Sequence, residues 1–321
     1  MADLEDVTLV TRVVRAERLA ADVRLFELRD PLGRELPAFT AGSHIKVRAP
    51  NGAVRKYSLC NSPSERNRYL IAVKRDPDGR GGSVSMVDDV RVDDELAIGA
   101  PDNAFALDMR APGYVFIAGS IGITPILAMI RALEADGIGT WRLYYLGRTR
   151  ETTPFVDELA AQYPAARVRV HFDDGDPAKA FDLWPILEKP SKAHVYCCGP
   201  RSLMDAVRDM TGHWNPGTIH FESFVDGAAM ARPDDHPFVV QLARSGTAIP
   251  VPAGTTILEA LRAAGHRVPS SCESGTCGSC RTVLLEGEAL HRDLVLMPDE
   301  QASNIMVCVS RARSERLVLD L

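Results

Sequence analysis

Hydrophobic and polar positions alternate over short stretches in the first 110 residues, the pattern of half-buried β-strands. Turn-forming runs such as Pro50-Asn51-Gly52 and Pro77-Asp78-Gly79 separate these stretches. One segment, Gly82–Val87, is instead typical of a helix that begins after a glycine-rich loop. The pattern predicts a small antiparallel barrel. Its predicted strands are Thr8–Val14, Val23–Leu28, His44–Val47, Lys56–Leu59 and Tyr69–Lys74.

From Pro112 onward, apolar runs alternate with amphipathic helical stretches. Strand–helix alternation predicts right-handed crossovers and a parallel sheet, which binds ligands at the carboxyl ends of its strands. The predicted strands are Tyr114–Ala118, Trp141–Leu146, Ala166–Phe172 and Ala193–Cys197. The predicted helices are a stretch from Gly119–Pro125 to Ala135, then Phe155–Gln162 and Ser202–Met210.

The last third begins with a small-residue and polar stretch, 226–235, which lacks periodicity and is interpreted as a linker. Strand-like runs follow at Phe238–Ala243 and Thr247–Val251, and a helical one at Ile257–Ala264. The sequence therefore predicts a multidomain chain. Its parts are an antiparallel β-barrel (1–110), an α/β parallel-sheet domain (111–225), the linker, and an α+β domain (236–321).

Composition narrows the class of protein. The 321 residues are 45% hydrophobic and 25% charged, as in ordinary globular domains. The net charge of −6 gives no electrostatic reason to bind nucleic acid or anionic lipid. No apolar run approaches the roughly 18–20 residues of a membrane span, and the acidic start lacks the basic residues of a signal peptide. We expect a cytoplasmic protein with no membrane or nucleic-acid partner.

Four of the seven cysteines lie close together in the last 50 residues. Cys272, Cys277 and Cys280 are separated by four and then two residues, and Cys308 follows after 27 more. This is the plant-type spacing for a [2Fe–2S] cluster held by four thiolates. The alternative, a zinc-stapled binding protein without enzymatic activity, usually shows paired short spacings. The spacing favours the iron–sulfur cluster.

Three further segments resemble motifs of the ferredoxin-NADP reductase superfamily. Arg55–Leu59 resembles its flavin-binding motif, and Gly119–Pro125 and Cys198-Gly199-Pro200 resemble its nicotinamide-binding motifs. With the C-terminal ferredoxin-like loop, the order of motifs resembles the phthalate dioxygenase reductase family, which includes vanillate demethylase reductases. The family pattern has glycine where Ser120 stands, a departure of little consequence if Ser120 has an ordinary backbone conformation.

The resemblance implies two cofactor sites, with Ser58, Thr124 and Cys198 nearest the chemistry. The residues implied for FMN are Arg55, Tyr57, Ser58, Ala72, Val73, Lys74, Gly81, Gly82, Ser83, Thr124 and Phe224. Those implied for NADH are Gly119, Gly122, Arg148, Asp173, Cys198, Gly199 and Pro200.

Several of these residues also have a simpler interpretation. Cys198 could be a small buried residue, Phe224 a packing anchor, and Asp173 part of a charged turn. Arg148 could be solvated, or could favour NADPH over NADH.

The resemblance implies that electrons pass from NADH through FMN and the cluster to a separate protein, a Rieske-type oxygenase acting on aromatic rings or removing O-methyl groups. A second acceptor stays open, a cytochrome P450 or another oxygenase.

Overall fold

The computed structural model describes residues 7–224, 232 and 234–321, and its chain divides into two compact units, Met1–His220 and Phe221–Leu321. The first unit contains the predicted barrel and the predicted α/β region as far as His220, and the second contains the four clustered cysteines. Of the predicted linker 226–235, only 232, 234 and 235 lie within the described residues. None of the helices in the described part is long and apolar enough to cross a membrane.

The barrel is a six-stranded antiparallel sheet in the order β4-β3-β6-β1-β2-β5. A bridge between Leu59 and Ile71 joins its two edges. Inward-facing side chains such as Phe26, Leu28 and Val47 are fully buried. The strands are β1 (Leu9–Ala20), β2 (Val23–Arg29), β3 (His44–Arg48), β4 (Val54–Ser58), β5 (Tyr69–Lys74) and β6 (Glu95–Ile98), with helix α1 (Gly82–Asp89) between β5 and β6.

The α/β region has four parallel strands in the order β10-β7-β8-β9, with β11 beside β10. The strands are β7 (Tyr114–Gly119), β8 (Trp141–Gly147), β9 (Val168–Phe172), β10 (His194–Cys198) and β11 (Ile219–Glu222). The helices are α2 (Ile123–Ala135), α3 (Val156–Gln162), α4 (Trp184–Leu187) and α5 (Arg201–Met210). The predicted parallel sheet is confirmed.

The barrel and the parallel sheet share one hydrophobic core. Leu25 and Ala72 of the barrel belong to the same buried cluster as Ile126 and Leu127 of α2. Arg131, also on α2, donates a hydrogen bond to the Cys60 carbonyl just beyond β4. The two regions of the first unit are therefore packed together rather than merely tethered.

The second unit is built on a five-stranded sheet in the order β13-β12-β18-β14-β16, with a separate pair, β15-β17. Its helix α6 (Ile257–Ala263) begins with a capping box, in which Thr256 and Glu259 each satisfy the other's backbone N–H. The strands are β12 (Phe238–Leu242), β13 (Ala248–Val251), β14 (Arg281–Glu286), β15 (Ala289–Leu290), β16 (Asn304–Met306), β17 (Arg311–Ala312) and β18 (Arg316–Leu319).

The predicted elements are present, with ends that differ by a few residues. The clearest difference is β1, which runs to Ala20 because its second half pairs with β2 through two register shifts. The sequence did not predict β6, α4, β11 or β14–β18. Most of these are only two to four residues long, too short to show a reliable period.

Candidate functional site

The flavin motif lies on β4 at the edge of the barrel, beside the start of α1. The Arg55 side chain packs on Gly82, where an added Cβ would lie 2.9 Å from Arg55 Cγ. Gly81, at φ +78°, precedes the helix, and no side chain caps the first-turn N–H groups. A guanidinium and free helix-start N–H groups together form an anion site. The residues present therefore fit a flavin phosphate.

Tyr57 carries an unsatisfied polar atom beside this site. Its hydroxyl is buried and has no hydrogen-bond partner among the described residues. Burial raises the pKa of Tyr57 to about 12, so the phenol stays protonated. A buried hydroxyl without a partner costs free energy unless a ligand supplies one. This observation, independent of the sequence motif, also fits a bound flavin.

The other residues implied for the flavin lie around the same strands. Ser58 is buried at the end of β4, and Ala72 and Val73 are buried in β5. The Ser83 hydroxyl accepts a hydrogen bond from the Asp76 N–H. One supporting residue was missed: Asn51 Nδ2 donates to the Gly81 carbonyl at 3.1 Å. In the sequence, Asn51 showed only a turn signal.

The glycines of the nucleotide motifs lie at the carboxyl ends of β7 and β10. A Cβ at Gly122 would lie 2.2 Å from the Cys198 carbonyl oxygen, and one at Gly119 would lie 2.5 Å from Pro200 Cδ. A Cβ at Gly199 would lie 2.9 Å from the Gly119 backbone. The sequence explained Gly119 and Gly122 by the close approach of a dinucleotide. The structure adds a second reason, because the two loops contact each other's backbone.

Ser120, which stands where the family pattern has glycine, has a backbone conformation that favours glycine. Its φ is +51°, in the left-handed region that favours glycine. Its carbonyl accepts a hydrogen bond from the Tyr145 hydroxyl at 3.1 Å, and its own hydroxyl lies 3.3 Å from Lys74 Nζ. The condition under which serine in place of the family's glycine would matter little, an ordinary conformation at Ser120, is therefore not met.

Thr124 and Cys198, implied as close to the chemistry, are both buried. The Thr124 hydroxyl donates to the Ile121 carbonyl in the turn before α2. Cys198 is the last residue of β10 and pairs with Ala118 of β7. The Cys198 and Thr124 segments meet where Gly122 contacts the Cys198 backbone.

Charged residues lie beyond the ends of β8 and β9. Arg148 is exposed, and its carbonyl accepts the Asp174 N–H at 2.8 Å. Asp173 accepts the Gly175 N–H at 2.8 Å, as in an Asx turn. Arg150 forms an ion pair with Asp157. The structure therefore brings Arg148 and Asp173 to one edge of the sheet.

Phe224 is the last described residue before the linker, and its side chain is 46% exposed. It belongs to the second unit. Its implied role beside the flavin stays a prediction.

The four cysteines of the second unit form two thiol pairs. Cys272 interacts with Cys277, and Cys280 with Cys308, so that each thiol shifts the pKa of its neighbour. The neighbouring Cys277 lowers the pKa of Cys272 to about 4, and Cys308 lowers the pKa of Cys280. The Ser274 and Thr276 N–H groups also point at Cys272 Sγ, at 3.4 and 3.5 Å. Such N–H groups stabilise thiolate ligands.

The paired arrangement distinguishes the two candidate metal centres. A structural zinc ion needs four ligands converging on one point. Two pairs suit a cluster of two irons, each taking two thiolates. The residues present therefore fit a [2Fe–2S] cluster.

The backbone at Asp293 and Leu294, which the sequence did not mark, packs against the cysteine loop. The Leu294 N–H donates to the Gly275 carbonyl at 2.9 Å, and a Cβ on Gly275 would lie 3.1 Å from Asp293 Cα. Asp293 accepts the Val295 and Leu296 N–H groups. No local sequence signal marks Asp293, because its role depends on a contact 18 residues away.

Comparisons with known proteins identify two domain families in this chain. Residues 10–106 match the oxidoreductase FAD-binding domain, and residues 240–313 match the 2Fe-2S iron-sulfur cluster binding domain. The phthalate dioxygenase reductase of Burkholderia cepacia is 55% identical over 99% of this chain and 98% of its own. The phthalate 4,5-dioxygenase oxygenase reductase subunit of Pseudomonas putida is 54% identical over the same shares.

Solved structures give the same result. A phthalate dioxygenase reductase, described as a modular structure for electron transfer from pyridine nucleotides to [2Fe–2S], matches with a TM-score of 0.72 and 54% identity over 99% of both chains. An intact type IV self-sufficient cytochrome P450 monooxygenase matches 98% of this chain with 41% of its own, at 40% identity and a TM-score of 0.72. The chain therefore belongs to the phthalate dioxygenase reductase family, and it is an oxidoreductase with flavin, pyridine-nucleotide and [2Fe–2S] sites.

Proposed function

We propose that this protein is the NADH-dependent reductase component of an oxygenase system and passes electrons through FMN and a [2Fe–2S] cluster to a separate oxygenase. One observation carries the proposal. Strand β5, implied for the flavin, and the nucleotide loop after β7 (residues 119–125) share a hydrophobic core. Lys74 of β5 lies 3.3 Å from Ser120 of this loop. A nucleotide at the ends of β7 and β10 would therefore lie next to the flavin.

In this proposal the three predicted domains divide the work. Residues 1–110 hold the flavin, 111–225 the nucleotide, and 236–321 the cluster. When bound, the flavin accepts a hydride from the nucleotide and releases electrons singly, a chemistry that belongs to the cofactor. The chain's own residues bind, orient and exclude water. Arg55 and the α1 start hold the phosphate, Tyr57 covers the ring, and Ser58 donates to its reactive edge.

The flavin is proposed to be FMN rather than FAD. Lys74 ends β5 and Gly82 begins α1, so only residues 75–81 connect them. A loop of that length offers little surface for an adenine ring. Acid extraction of the flavin, followed by chromatography against FMN and FAD standards, tests this directly. Recovery of FAD would overturn the FMN assignment and leave the electron route intact.

The nucleotide is proposed to be NADH rather than NADPH. Of the two arginines at this edge, Arg150 is paired with Asp157. The Asp173 carboxylate accepts the Gly175 N–H at one oxygen and can accept further hydrogen bonds from ribose hydroxyls. Its negative charge would repel the 2′-phosphate of NADPH. Asp173→Ala should therefore narrow the preference for NADH over NADPH, measured as the ratio of the two kcat/KM values. An unchanged ratio would remove Asp173 from the site.

The acceptor is proposed to be a Rieske-type oxygenase of aromatic-ring hydroxylation or O-demethylation. The relatives named above are reductases of phthalate dioxygenase systems. A cytochrome P450 is the second candidate, since the type IV self-sufficient P450 matches nearly the whole of this chain. The partners can be separated by mixing NADH-reduced protein with a purified Rieske oxygenase or a P450. The rate of cluster reoxidation identifies the acceptor, and absence of flavin reduction by NADH would refute the proposed function itself.

A further inference from the structure

A strained residue lies between the two cofactor sites of the first unit. Ser120 is one of five described residues other than glycine with positive φ, and it directly follows β7. A residue in this region persists only where its surroundings hold it. Here the Tyr145 hydroxyl shares its one hydrogen between the Pro154 carbonyl at 2.9 Å and the Ser120 carbonyl at 3.1 Å.

The second restraint on Ser120 comes from the barrel. Lys74 ends β5, directly after the buried Ala72 and Val73. Its ammonium group lies 3.3 Å from Ser120 Oγ and 3.5 Å from an Asp22 carboxylate oxygen. The ammonium group therefore contacts the turn between β1 and β2 and the nucleotide loop at once. Glycine at position 120 would have no hydroxyl to meet it.

We propose that Lys74 and Ser120 are positioning residues that fix the nucleotide loop against β5 and so set how closely the nicotinamide approaches the flavin. Glycine would adopt this backbone conformation without strain but would make no side-chain contact. Serine instead gives the loop a hydrogen bond to Lys74. Lys74 acts through Ser120, and Asp22 orients Lys74. This inference rests on the proposed function.

A double-mutant cycle tests whether the two residues act through each other. The variants are Ser120→Ala, Lys74→Met and the pair together, in the flavin-loaded full-length protein. Two quantities are measured: the affinity for NAD⁺ by titration, which needs no turnover, and the limiting rate of flavin reduction by NADH in anaerobic stopped flow. We expect each single variant to lower the limiting rate several-fold and to weaken NAD⁺ binding, and the double variant to be no worse than the poorer single one.

Two control variants test whether the effects come from the position of the nucleotide loop rather than from lost stability or relieved backbone strain. Lys189→Met removes an exposed lysine between α4 and β10 and should change neither quantity. Ser120→Gly removes the hydroxyl and also relieves the backbone strain. If the hydrogen bond matters, Ser120→Gly loses rate as Ser120→Ala does. Tryptophan fluorescence during unfolding shows whether either variant is simply less folded.

The possible outcomes are distinct. The inference would be overturned if the effects of the two substitutions on the limiting rate were additive. It would also be overturned if Ser120→Gly had the same limiting rate and NAD⁺ affinity as the unaltered protein. Either result would leave the reductase function in place. Failure of NADH to reduce the flavin in the unaltered protein would instead refute the proposed function.

Discussion

Replacing Gly122 by alanine should destabilise the parallel sheet of the first unit, because no space exists for a methyl group there. The added Cβ would lie 2.2 Å from the Cys198 carbonyl oxygen, 2.5 Å from its carbon and 2.8 Å from the Gly199 nitrogen. All three neighbours are backbone atoms, so no side-chain rotation relieves the contact. The ends of β7 and β10 must separate by about 0.8 Å to reach even a tight contact of 3.0 Å.

Overpacking of a well-filled site costs about 1–3 kcal/mol, and we expect about 3 kcal/mol here because the contact is with backbone. In a region of this size that corresponds to roughly 6–12 °C in Tm. Tryptophan fluorescence is a selective probe, since Trp141, Trp184 and Trp214 are the only tryptophans in the sequence and all lie in the α/β region. Urea unfolding followed at this signal gives the change in free energy of unfolding.

Gly139→Ala is the matched control. Gly139 lies in the loop between α2 and β8, and a Cβ there would meet no atom within 4 Å. This variant should stay within about 0.5 kcal/mol of the unaltered protein. If Gly122→Ala were equally stable, the close approach between the loops would not exist. Gly122 would then be needed only for the nucleotide.

Three further outcomes are expected. Arg55→Ala should weaken FMN binding by about 1.5–3 kcal/mol, since a charged phosphate partner is lost; unchanged affinity in a fluorescence titration of the apoprotein would remove Arg55 from the phosphate site. Cys277→Ser should abolish the visible and EPR signals of the cluster while NADH still reduces the flavin; loss of that reduction with flavin bound would contradict separate sites for the two cofactors. The Asp235 side chain is 3% exposed and is paired with the buried Arg292. Changing Asp235 to Asn should therefore lower the free energy of unfolding of the second unit by about 3–5 kcal/mol. Although burial opposes it, Arg292 lowers the pKa of Asp235 below its ordinary value, so the stabilisation is present above about pH 4 and lost as pH falls through the folded pKa. Acid unfolding of the Asp235→Asn variant should lack this component, and an unchanged acid transition would refute the assignment.

Local spacing along the chain was enough to predict the cofactor sites. The intervals between Cys272, Cys277 and Cys280 are set by the geometry of ligation, so they are visible without a fold. Strand–helix alternation determined the parallel sheet for a similar reason, because each element must bury one face whatever its neighbours are. The flavin and nucleotide motifs were likewise short, contiguous stretches.

Contacts between distant segments were decided only by the tertiary structure. The strands β14–β18 are defined by pairing across the sheet rather than by their own short patterns. Asp235 lies in the stretch that the sequence predicts as a linker, yet its side chain is buried against Arg292, 57 residues away. The sequence leaves the backbone conformation of Ser120 open, and the structure places this residue in the left-handed region between Lys74 and Tyr145. The free energy of packing depends on which side chains contact each other across the fold. The order of residues along the chain does not specify those contacts.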